Sequence, residues 1–166
     1  MDPQARSSSP GWSNTPSSPP HPPRLAEPPQ KVTPEGNKAI VRRLVEDLFN
    51  TGDLDVVDEV LADEYVDHTA SHPDLPGPEY VKRSVSEWLT AFPDTVSVVK
   101  DMVAEGDKVA ARWTTQATHR SEFMDVPPSG NRIDVTWFGI LRLSGDKIVE
   151  SWDTFNVVEM MQHLGR

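Results

Sequence analysis

The hydrophobic period of this chain changes once, and that change constrains its architecture more than any other feature. Up to Asp94 the apolar residues recur at helical spacing; beyond it they alternate as strand residues do. Ile40, Val41, Leu44, Val45, Leu48 and Phe49 form one helical stripe, opened by Thr33 and Pro34 and stopped by Asn50, Thr51 and Gly52. A short second helix runs through Leu54, Val57, Val60 and Leu61. An irregular Pro-rich stretch, 69–78, leads to a third helix with Val81, Val85, Trp88, Leu89 and Phe92 on one side, ended by Pro93. Strands are then predicted from Val96 to the 105–107 turn, over 108–119, over 133–143 after a Pro-Pro-Ser-Gly loop, and over 148–155 after the 144–146 turn, with a short closing helix over 157–164. Helices first and an antiparallel meander second make an α+β fold, its helices packed on one face of a strongly curved antiparallel sheet. Such a sheet capped by helices forms a cone with an internal pocket for a small ligand.

The length of 166 residues fits one ordinary domain. Ten of the 16 prolines lie in residues 1–34. Residues 1–33 have too few apolar side chains to offset chain entropy, which predicts a disordered Pro/Ser-rich tail before a folded domain over 34–166. In the tail, Pro19-Pro20-His21-Pro22-Pro23-Arg24 has the P-x-x-P interval and following arginine that SH3-like grooves take; the plainer reading is a solvated extension. Cysteine is absent, so disulfides, thiolate metal sites and cysteine nucleophiles are excluded. The formal charge is −10, and the first 34 residues carry three basic against two acidic side chains, leaving −11 on the rest. A surface of that sign repels phosphate backbones, so nucleic acid is not an expected partner. Apolar runs of a few residues fall far short of the roughly 20 that span a membrane. The N-terminus lacks the basic-then-apolar order of a secretory signal, and the expected location is cytoplasmic. No Gly-x-Gly-x-x-Gly, phosphate loop or Gly-x-Ser-x-Gly elbow occurs, which argues against nucleotide cofactors and α/β-type serine hydrolases.

Six segments occur in a set order from about residue 36 to the C-terminus: Phe49-Asn-Thr-Gly-Asp, Tyr65-Val-Asp-His, Gly106-Asp-Lys-Val-Ala-Ala-Arg-Trp, Thr118-His-Arg-Ser-Glu-Phe, Val126-Pro-Pro-Ser-Gly and Gly145-Asp-Lys-Ile-Val-Glu-Ser-Trp-Asp. Together they resemble the SnoaL-like polyketide cyclases, also called ester cyclases, of the nuclear transport factor 2-like superfamily. The resemblance implies a cone-shaped α+β fold, a homodimer formed through the sheet, and chemistry without a cofactor. It also implies ring closure by intramolecular aldol condensation of a hydrophobic carbonyl compound, with one aspartate of the last strand as acid and base; Asp153 falls on that position. The best-known cyclases carry a glutamine and a histidine where Trp137 and Gly139 stand here. The same scaffold hosts noncatalytic binding proteins and a limonene epoxide hydrolase with an Asp-Arg-Asp set. Arg112 with Asp134 or Asp153 approaches that set, but Thr114 stands where its second acid belongs.

The residues can be read on their own terms. Asp153 shares strand parity with Val149, Ser151 and Phe155, so in a regular strand it faces an apolar side, where desolvation raises a carboxyl pKa toward the range useful for abstracting a proton next to a carbonyl. It could instead cap the helix at Val157 or pair with an arginine. Tyr65 or His68 could donate to a substrate carbonyl, His68 could assist proton transfer, and Asp67 falls where the resemblance puts a polar pocket residue; turn capping is the alternative for all three. His68 and His72 have the interval of a helical metal pair, yet Pro73 and Pro76 oppose a helix and no third ligand is evident, so no metal is expected. Trp88 and Trp137 offer flat walls for a hydrophobic ligand or ordinary core packing, and His119 stands either at the cavity rim or in a structural turn.

Overall fold

The computed structural model describes residues 33–69, 75 and 77–165. The P-x-x-P run, His72 and the tail before Thr33 lie outside them.

Thr33 caps the first helix as expected, its hydroxyl accepting the amide of Gly36 at 3.0 Å. This helix, α1 (Pro34–Arg42), passes through a π-helical turn, Arg43–Asp47, into α2 (Leu48–Thr51), which Gly52 ends in the left-handed conformation. Next come α3 (Asp55–Val60), β1 (Leu61–Asp67), α4 (Gly77–Ala91), β2 (Val96–Glu105), β3 (Lys108–Thr118), β4 (Arg132–Ser144), β5 (Lys147–Phe155) and α5 (Val157–Leu164). The sheet has five strands in the order β1-β5-β4-β3-β2.

The α+β class stands, with one correction. The sheet is mixed rather than antiparallel, because β1, which the sequence reading took as helix end and loop, pairs in parallel with β5. Leu61, Tyr65 and Asp67 alternate along it, but Asp63 and Glu64 interrupt the apolar pattern, so the strand signal is weak. Gly77 lets α4 start hard against β1: a Cβ there would lie 1.9 Å from the Tyr65 carbonyl oxygen.

Val109, Ala111 and Trp113 of β3, Leu141 and Leu143 of β4 and Ile148 of β5 meet Val41, Val45, Leu48, Val57 and Val60 from the helices in one core cluster. A second joins Trp88 and Phe92 to Ala117, Ile133, Val135, Met160 and Leu164. The open edge of β2 is covered by side chains: Asn50 accepts the Ser97 amide at 2.7 Å and donates to its carbonyl at 2.9 Å, while Glu46 accepts the Val99 amide at 2.9 Å. Such covering blunts edge-to-edge pairing. No helix among the described residues is long and apolar enough to cross a membrane.

Candidate active site

Strand parity brings Asp153 to the helix side of the sheet, though not along the whole of β5. The β4/β5 register slips between Arg142 and Leu143, so Ile148 and Ser151 both point inward and Val149 is displaced; alternation then holds from Ser151 through Asp153 to Phe155. Directly across from Asp153 stands Gly139, where a Cβ would lie 2.0 Å from Asp153 Oδ1. The lack of a side chain at 139 therefore provides the space the carboxylate occupies.

Asp153 neither caps a helix nor pairs with an arginine; Asn156 caps α5 by accepting the Glu159 amide at 3.1 Å. Its Oδ2 accepts the Ser151 hydroxyl at 3.0 Å, and Oδ1 is buried without a partner. Burial, reinforced by the charge of Asp67 and opposed by the Ser151 hydroxyl, pushes its pKa up to about 7. Tyr65, buried on β1, lies 2.6 Å from Ser151 Oγ through its own hydroxyl. Since the serine proton goes to Asp153, the phenol is the donor in that bond, and desolvation raises its pKa well above the usual tyrosine range. The phenolic hydrogen expected to meet a substrate carbonyl is thus spent on Ser151.

Asp67 stands near enough to act on Asp153 through its charge. Its Oδ1 accepts the amide and hydroxyl of Thr69, both at 2.8 Å, in a local turn. His68, expected to donate to a substrate carbonyl or to assist proton transfer, is not brought to Asp153. Its ring lies flat on Trp152, 4.5 Å between centroids and 2° from parallel, on the opposite side of β5. Adjacent strand residues point to opposite faces, so a histidine that follows Trp152 departs from Asp153. Trp88 donates its indole N–H to Thr95 at 2.9 Å and packs in the second core cluster. Trp137 is the other kind of tryptophan: it packs on Phe155 at 4.1 Å, Trp88 at 5.8 Å and Trp113 at 6.1 Å, and its buried indole N–H has no partner. His119 is fully buried just after β3, its ring on Phe92 at 5.3 Å and its Nδ1 accepting the Ser129 amide at 3.2 Å. That arrangement holds the 127–130 loop and fits the structural-turn reading rather than the rim.

The hydrolase set is not assembled. Arg112 pairs with Asp101 on the outer face of the sheet, and Asp134 accepts from Gln116 at 2.8 Å. Among the described residues no three His, Asp or Glu side chains gather as a metal-binding group. A hollow of about 510 Å³ does exist, but on that outer face, lined by Phe138, Ile140, Trp152 and the paired Asp101 and Arg112. On the opposite, inner side of the sheet Asp153 Oδ1 and Trp137 Nε1 are buried without partners, whereas the outer ion pair is already satisfied. Ser151 and Gly139 join the site although no motif assigns them a role: the i, i+2 spacing of Ser151 from Asp153 puts its hydroxyl on the same strand face, and Gly139 leaves open the space that Oδ1 fills.

The comparisons agree with this architecture. The family model described as SnoaL-like polyketide cyclase matches residues 39–164. Among solved structures, IdmH of Streptomyces antibioticus, provisionally assigned as a polyketide cyclase, is 32% identical, with 78% of this chain and 99% of that chain covered at a TM-score of 0.68. AclR of Streptomyces galilaeus, provisionally assigned as a hydroxylase, is 31% identical over 80% of this chain and 98% of that one, with a TM-score of 0.70. TsrD of Streptomyces laurentii, 23% identical, shares the fold at a TM-score of 0.75 over 81% of this chain and 98% of its own. No curated protein gives a match. With its family model spanning both the helical layer and the whole sheet, the chain belongs to the SnoaL-like polyketide cyclases.

Proposed function

We propose that this protein is a cofactor-independent cyclase in which Asp153 is acid and base for an intramolecular aldol closure of a hydrophobic carbonyl compound. Asp153 Oδ1 removes a proton from the carbon next to a carbonyl, and the enolate attacks a second carbonyl of the same molecule, forming the carbon–carbon bond. Oδ1 then returns the proton to the new alkoxide, so the enzyme ends as it began. Trp137 offers an indole N–H to the enolate oxygen, and Trp88, Trp113 and Phe155 form flat walls for the ligand. The observation carrying this reading is the buried, unpartnered Oδ1 of a carboxyl whose pKa is pushed up to about 7. A base matched to the operating pH serves best.

The test is deuterium uptake next to the carbonyl of a bicyclic aromatic β-keto ester in heavy water, followed by NMR. Catalysed exchange supports the cyclase. Saturable quenching of tryptophan fluorescence by the same compound without exchange overturns it in favour of a noncatalytic binding protein.

The partner we assign to the outer face is a second copy of this chain. Phe138, Ile140 and Trp152 are 53%, 47% and 38% exposed on it. The charges among them come in opposite pairs, Arg112 with Asp101 and Arg142 with Glu150, so this face is near neutral on a strongly acidic chain and can meet its own copy without repulsion. Trp152→Glu is expected to weaken the dimer at least about thirtyfold, because loss of a buried aromatic anchor alone costs about 2 kcal/mol or more. Sedimentation velocity reads this as a shift to the monomer mass; an unchanged mass distribution rejects the assignment.

A further inference from the structure

We propose that Ser151 and Tyr65 are the positioning relay of the Asp153 site: Tyr65 donates to Ser151, Ser151 donates to Oδ2, and the carboxyl is thereby held with Oδ1 as the oxygen that takes and returns the proton. This rests on the reading of Asp153 as acid and base, and extends it to two residues of other roles.

The geometry leaves little freedom. Ser151 is fully buried, so its hydroxyl has only the 2.6 Å bond to Tyr65 and the 3.0 Å bond to Asp153 to satisfy it. Tyr65 reaches it because β1 runs parallel beside β5, with Asp67 opposite Ser151. A serine hydroxyl has a single hydrogen to donate, and while the phenol donates to it that hydrogen is left for Oδ2. Each bond polarises the next, so the phenol strengthens the hydrogen bond that Ser151 gives to the carboxylate. The groups facing Asp153 are then accounted for: Tyr65, Asp67 and Thr69 from the β1 side, Ser151 on its own strand, and Gly139 with Trp137 from β4. Of these, Asp67 opposes ionisation and Ser151 favours it. The relay therefore fixes which oxygen reacts and also lowers, against the larger effect of burial, the pH at which it is ready.

The experiment is a carbon-13 NMR titration of the Asp153 carboxyl in aspartate-labelled full-length protein, without substrate. Ser151→Ala is expected to raise the midpoint by about one pH unit, the equivalent of losing one hydrogen bond to a charged group. Tyr65→Phe, which keeps Ser151 and the packing, should raise it by about a third as much. Ser151→Thr, which keeps the hydroxyl, should return it to the wild-type midpoint. The relay is overturned if Ser151→Ala and Tyr65→Phe leave the midpoint in place, or if Ser151→Thr moves it as far as Ser151→Ala does. Because no turnover is measured, those outcomes count against the relay alone; an Asp153→Asn protein that still exchanges protons counts against the base.

Discussion

Asp153→Asn is expected to lower α-proton exchange by about a hundredfold to ten-thousandfold, the range that a positioned general base contributes, while leaving ligand-induced fluorescence quenching in place. The same substitution should make the protein more stable at neutral pH, and the sign follows from linkage. The folded pKa is about 7 against an ordinary value of 3.8, so between these values the folded state holds a proton that the unfolded state has lost. The stability this contributes is complete below the lower value and is lost as the pH rises through the upper one. Asparagine does not titrate and loses nothing. The gap in unfolding free energy between variant and wild type should therefore open from pH 4 to pH 7 by roughly 3–4 kcal/mol and stay level above. Asp94 and Glu150 have lowered pKa values through Thr118 and Arg142, and so lose stability in acid, but they do so in both proteins and cancel. Urea denaturation at several pH values measures the gap. Parallel stability curves would mean that Asp153 titrates as an ordinary surface carboxyl.

What the sequence conveyed, and what it withheld, divides along a physical line. Helices with a clean apolar stripe and strands bounded by Gly-containing turns were legible, because period and turn chemistry are local properties. The parallel strand β1 was not: its pattern is broken by Asp63 and Glu64, and what makes it a strand is pairing with β5, more than 80 positions away. The inward placement of Asp153 followed from strand parity, yet the bulge at Val149 shows that parity carried backward from Asp153 would have failed two residues before Ser151. His68 was drawn to the site because it neighbours Tyr65 and Asp67 in sequence, whereas neighbours on a strand face opposite ways and its ring found Trp152 instead. The partner of Tyr65 could be learned only from tertiary structure, since the hydroxyl it meets lies 86 residues on.

Gly139→Ala tests the site from the side the sequence left silent. Away from a clash, exchanging glycine for alanine in a strand that tolerates it stabilises by about 0.4–1 kcal/mol through the unfolded chain. Here the added methyl would sit 2.0 Å from Asp153 Oδ1 and 3.1 Å from the Trp113 ring, and no left-handed backbone angle is involved, so the whole penalty is steric. Either the carboxylate rotates out of its recess or β4 and β5 part, and overpacking of this kind costs roughly 1–3 kcal/mol. Thermal unfolding should fall by about 5–10 °C in consequence, and proton exchange should fall with it. Removing the carboxylate should remove the conflict: in an Asp153→Ala background the methyl at 139 finds space, and its effect is expected to be neutral or stabilising. A double-mutant cycle should therefore return a coupling of roughly 1–3 kcal/mol between two residues that share no hydrogen bond. Were Gly139→Ala to cost the same in both backgrounds, the glycine would be serving the Trp113 ring or the strand itself, and the tight seat of the Asp153 carboxylate would have to be explained by some other group.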